Sequence, residues 1–177
     1  MSEPPTRQGG RTLITAALTL YSLSVFVHVS AVVVGLGSTF AEALMFPVAQ
    51  RLSYRHLPYL HHLQLAINRR LATPALAVVL LTGIYQVIAG PWSFGDVWVS
   101  ASFVIVIALG ALLGGYFIPT DRKLAPMVEQ ELAAAQGSEP ALSPEYQRRA
   151  RREGIAGGVA GALVIVAIFL MVVKPGA

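Results

Sequence analysis

Cysteine is absent from the chain, which excludes disulfides, thiolate metal sites and a cysteine nucleophile. Charge is scarce: Asp, Glu, Lys and Arg make up 12% of the 177 residues, about half the ~25% of a soluble domain. The scarcity is concentrated. No charged residue occurs in 12–41, 71–95, 97–120 or 154–173, which together hold more than half the chain. Each run reaches the roughly 20 residues that a helix needs to cross a hydrocarbon core. With a mean hydropathy of +0.63, the composition excludes a secreted disulfide scaffold, a disordered tail and a nucleic-acid-binding domain. No Ser-His-Asp set, zincin His pair, catalytic carboxylate pair or strand-linked glycine-rich phosphate loop is present.

What is there is an all-α plan: a four-helix transmembrane bundle, one multipass domain over 1–177. The spans are expected at about 13–37, 71–89, 97–118 and 154–173. The first run would extend about 45 Å as a helix, longer than one bilayer core, so it tilts, projects, or continues toward Phe46 until Pro47 kinks or ends it. Gly90-Pro91 ends the second span, with Thr73-Pro74 marking its start. Pro119 stops the third. Trp92 and Trp98 flank the short loop between spans two and three, as headgroup anchors do.

Ten Lys and Arg residues fall in the two long loops, about 50–70 and 120–153, against Arg7, Arg11 and Lys174 on the other side. The positive-inside rule then gives N-out/C-out, with both long loops in the cytoplasm, and a bacterial cytoplasmic membrane as the location. Those loops carry amphipathic helices. Leu57, Leu60, Leu63 and Ile67 recur at near-helical spacing, with Pro58 at a first helical position. A second helical piece covers about 126–135. A third begins at Ser143-Pro144-Glu145, with Ser143 as N-cap, and runs into span four. A Gly/Ser/Pro linker over 136–142 separates them.

Tyr21, His28, Gly35 and Glu42 are spaced by seven, within 20° of one line on a helix. In lipid such a polar stripe turns toward other helices or a cavity. His28 is the ionisable residue deep in a span: a ligand for haem b iron or a metal, a proton carrier, or a ring hydrogen-bonded to the next helix. Glu42 is a proton entry group or a partner for Arg69 or Arg70. His56, His61 and His62 are weaker metal candidates, since adjacent ring directions about 100° apart rarely share one ion. Arg148, Arg149, Arg151 and Arg152 suit anionic lipid headgroups at the cytoplasmic face. Gly110/Gly114, Gly154/Gly158 and Gly157/Gly161 fit the small-xxx-small pattern of close helix packing, within the chain or in a homodimer. No broken pair of helices of the kind transporters use is evident.

The stretch FVHVSAVVVGLG at 26–37, then ALMFP at 43–47, and Arg69-Arg70-Leu71 leading to Leu81-Thr82-Gly83-Ile84-Tyr85, resemble an uncharacterised family. It comprises four-helix bacterial integral membrane proteins similar to copper-resistance D-type membrane proteins, with a more distant resemblance to membrane protoporphyrinogen oxidase. The resemblance implies His28 as a ligand and a role in haem or metal handling. Two departures stand out: Val33-Val34 replace the relatives' Trp, and no Lys lies within a span. Three functions follow as expectations. One is haem or metal binding through His28 in a redox or metal-handling role. Another is a non-enzymatic accessory or scaffold subunit with a membrane-complex partner. The third is a small proton-linked transporter along Tyr21, His28 and Glu42.

Overall fold

The computed structural model describes residues 7–135 and 142–176, with side chains from Thr19 onward apart from Gln50. Within these residues the chain is helical and without strands. Its elements are α1 (Arg7–Ala31), α2 (Gly37–Leu52), α3 (Leu57–Ile67), α4 (Thr73–Ala89), α5 (Val97–Leu112), α6 (Ile118–Ala134) and α7 (Pro144–Val173). Four helical stretches are long and apolar enough to cross a membrane: Thr19–Ala49, Tyr54–Ala89, Val97–Ala134 and Pro144–Val173. The expected linker falls outside the described residues except for Leu142.

Pro58 and Ser143 act as their local chemistry requires. Pro58 sits in the first turn of α3, where a missing N–H costs nothing. Ser143 caps α7, its Oγ accepting from the Tyr146 N–H at 3.1 Å. Three other prolines do not end helices. Pro47 lies inside α2, which continues to Leu52. Pro74 and Pro119 sit in helices that run straight through them, so spans two and three are longer than 71–89 and 97–118. The reason is local. A proline ring collides with the carbonyl four residues back, which is that of Arg70 for Pro74 and Gly115 for Pro119. Both carbonyls lie in π-turns, Asn68–Ala72 and Leu113–Phe117. There the helix widens to five-residue bonds: Thr73 N–H to Asn68 O, and Ile118 N–H to Leu113 O. The Thr73 hydroxyl also donates to Asn68 O at 2.7 Å. A third π-turn, Val32–Leu36, joins α1 to α2. Its Gly35 and Leu36 carbonyls accept from the Ser38 and Thr39 hydroxyls, each at 2.7 Å.

Helix α1 packs along α4, α5 along α7, and α3 along α6. Their apolar faces form three buried layers. One is at the arginine-rich end, around Leu57, Leu124, Val128 and Tyr146. The middle one centres on Leu36, Leu76, Val79, Val106, Leu109 and Val164. The third is at the tryptophan end, around Val87, Trp98 and Val99. Phe26, Leu44, Leu81, Ile88 and Val172 point outward and are mostly exposed, the inverse of a water-soluble bundle and the pattern lipid requires.

The glycines divide. A Cβ at Gly35 would overlap that of Ala75, so the π-turn Val32–Leu36 lies directly against α4 there. Gly110 lies against Leu76 and Gly161 against Phe40. Around Gly114, Gly154, Gly157 and Gly158, by contrast, a Cβ would meet open space. These four therefore do not provide the close packing within the chain that their spacing predicts. Trp98 is buried, stacked edge-on against Trp92 with ring centroids 5.1 Å apart, and the Lys174 ammonium lies over the Trp92 ring at 4.0 Å.

Candidate functional site

The stripe on α1 lies along α4. Tyr21 abuts Gly90, Gln86 Nε2 donates to the Ser24 carbonyl at 3.3 Å, His28 meets Thr82, and Gly35 meets Ala75. It does not line one continuous space. Tyr21 and His28 face a cavity of about 320 Å³ at the tryptophan end, with Gln86, Trp98, Ser102 and Met171 among its walls. Glu42 faces a second cavity, about 270 Å³, at the arginine-rich end. Between them stands the middle apolar layer: Leu36, Leu76, Leu109 and Val164 border the second cavity, and Val79 and Val106 the first.

His28 is buried, and its Nδ1 lies 2.8 Å from Thr82 Oγ1. That hydroxyl has one proton, and it donates it to the Val78 carbonyl at 2.6 Å. Thr82 therefore accepts from His28 Nδ1–H. This hydrogen-bond pattern assigns the tautomer. A ring N–H of His28 also hydrogen-bonds the Val79 backbone carbonyl, so the imidazole is held to α4 by a side chain and by the main chain.

At the arginine-rich end the structure gathers residues that sequence spacing does not connect. One ligand atom each from His61, Asp121 and Glu153 lie within 4.8 Å of one another. Asp121 is fully buried. Its Oδ2 accepts from Asn68 Nδ2 at 2.9 Å, and its carboxyl lies within hydrogen-bond reach of that of Glu153, a contact that only a shared proton or another cation can satisfy at Oδ1. Glu42 Oε1, without a protein partner among the described residues, borders the adjoining cavity with Glu153 and Asn68. Two carboxylates this close and this buried repel unless a proton or another cation lies between them. His61 is buried too, bonded through Nδ1 to Gln64 Oε1 at 3.1 Å and through Nε2 to the Tyr146 hydroxyl at 2.9 Å. The amide oxygen accepts from Nδ1–H, so the ring's one lone pair accepts from Tyr146.

Of the three loop histidines only His61 joins this cluster. His62 pairs with Glu129 at 3.0 Å on the surface, and His56 is exposed. Glu42 is not paired with Arg69 or Arg70, which are exposed. Asp121 and Glu153 are absent from the sequence-based candidates, although a signal exists. Glu42 closes the first uncharged run, Asp121 closes the third, and Glu153 stands just before the fourth. At the end richest in Arg, three charge-free runs thus stop at an acid. The void beside them has a sequence cause as well: Gly154, Gly157 and Gly158 line it. Residues of all three π-turns border it, Leu36, Asn68, Ala72, Leu113 and Phe117, and π-turns concentrate at functional sites.

A family model described as "Predicted integral membrane protein (DUF2269)" matches residues 22–175. No curated protein and no solved structure matches the chain.

Proposed function

Because the chain belongs to the DUF2269 family of predicted integral membrane proteins, we propose that it is a metal-handling membrane protein whose cation sits between His61, Asp121 and Glu153. The carrying observation is the fully buried Asp121, whose carboxyl meets that of Glu153 beside an imidazole, so that a proton or a metal cation must lie between the two acids. One nitrogen with two carboxylates suits a borderline divalent ion such as Zn²⁺ or Mn²⁺. The adjoining cavity, bordered by Glu42 and opened by three glycines, supplies an approach path. The positive-inside bias puts this site on the cytoplasmic side of a bacterial inner membrane.

The test is equilibrium titration of detergent-purified protein with Zn²⁺ and with Mn²⁺. Asp121→Asn and Glu153→Gln are expected to weaken binding more than about tenfold. Glu129→Gln, on the surface, should leave it unchanged. Wild-type protein that binds neither ion would overturn the proposal and leave the acids as proton carriers.

A second reading rests on His28. His28 and Met171 both border one largely apolar cavity, and imidazole and thioether are residue types suited to haem iron or copper. A Soret band in haem-supplemented protein, lost in His28→Ala, supports it; a flat spectrum rejects the haem.

A further inference from the structure

The four arginines ahead of the last span are not equivalent. Glu145, Arg148, Arg149 and Arg152 follow the i, i+3, i+4, i+7 spacing of one helix face, and with Tyr116 and Thr120 they line a cleft of about 300 Å³. Arg151 is not among its walls. Within the cleft one guanidinium is already engaged: Arg149 holds Glu145 through Nε at 3.1 Å and Nη2 at 2.7 Å. Arg148 Nε donates to the Pro144 carbonyl at 3.3 Å. Among the described residues, neither Arg148 nor Arg152 has a carboxylate in ion-pair reach. The cleft therefore presents three guanidinium groups against the single carboxylate of Glu145, whose charge Arg149 and Arg148 share, and two hydroxyls, Tyr116 and Thr120. This donor set fits a tetrahedral oxyanion.

We propose that this cleft binds a phosphate group, supplied by the headgroup of an anionic phospholipid. Its position argues for the lipid as source. One wall, Tyr116 to Thr120, is the last part of the uncharged run 97–120. The other wall ends at Arg152, two residues before the uncharged run 154–173. Both walls thus stand where apolar helix gives way to polar chain, which is where lipid phosphates lie.

The experiment is lipid retention on the full-length detergent-purified protein, read by native mass spectrometry. Phosphatidylglycerol and phosphatidylcholine are titrated separately, with and without excess inorganic phosphate. Phosphatidylglycerol is expected to be retained preferentially. Arg152→Gln should weaken it about tenfold and Arg151→Gln no more than about twofold, although both remove one charge from adjacent positions. Tyr116→Phe and Thr120→Val, which leave charge untouched, should each weaken retention about threefold. Arg152→Lys keeps the charge in a folded protein and should lie between wild type and Arg152→Gln. Equal effects of the Arg151 and Arg152 substitutions overturn the proposal in favour of diffuse attraction to the membrane surface. Displacement of the lipid by the excess inorganic phosphate overturns the lipid source and assigns the cleft to the free anion.

Discussion

Replacing Gly35 by alanine puts a methyl group where the Cβ of Ala75 already stands, with the Ala75 Cα 3.4 Å away. Neither atom can give way as a flexible side-chain tip would, so the helices must part. Overpacking of this kind costs typically 1–3 kcal/mol, and a value near 2 kcal/mol changes the folded-to-unfolded ratio about thirtyfold. The consequences should extend along the seam. His28–Thr82 at 2.8 Å lies two turns toward one end, and Glu42 two turns toward the other. Reversible unfolding in mixed micelles, followed by circular dichroism, gives the magnitude. The control is the exchange of the two residues, Gly35→Ala with Ala75→Gly, which conserves the methyl count at the crossing. The pair should return to within about 0.5 kcal/mol of wild type, a coupling in the upper part of the range for residues in contact. Simple additivity of the two substitutions would refute the close contact of the π-turn Val32–Leu36 with α4.

Three further outcomes are expected. Tyr146→Phe removes the hydroxyl that holds the His61 lone pair, so it should tighten Zn²⁺ binding about fivefold while lowering metal-free stability by about 1 kcal/mol; weaker binding in this variant would argue against His61 as a ligand. Gly157→Leu has open space at its Cβ but projects toward the cavity beside Glu153, so metal affinity should fall with the melting temperature nearly unchanged, both measurable on one preparation. Ser143→Ala removes the α7 cap at a cost of about 1 kcal/mol, and hydrogen exchange over 144–148 should accelerate before that of the spans.

The residues that sequence reading located best are those whose roles are set by near neighbours. Pro58 in a first turn, Ser143 at a cap and Gly90-Pro91 at a helix end act within about four positions of themselves. Pro74 and Pro119 show the limit of that logic. Each fits a boundary by local rules, yet the helix continues because a preceding π-turn moves the clashing carbonyl aside. The candidate site was half visible. His28, Glu42 and His61 stand out in the sequence, whereas Asp121 and Glu153 read as ordinary ends of loops.

The uncharged runs by themselves determine that this is a four-span helical membrane protein. Helices and closed barrels satisfy the backbone in lipid, and uncharged runs of 20 to 30 residues match the length of a spanning helix, about twice that of a spanning strand. The spacing of seven also determines that one face of the first helix turns inward. Tertiary structure alone decides what that face meets. It separates His28 from Glu42 by an apolar layer contributed by four helices, and it brings Asp121 and Glu153 to His61 from 60 and 92 positions away. Contacts at that separation are fixed by which helix faces pack together. That choice depends on where glycines let helices approach closely, as at Gly35, and where they leave space, as at Gly154, Gly157 and Gly158.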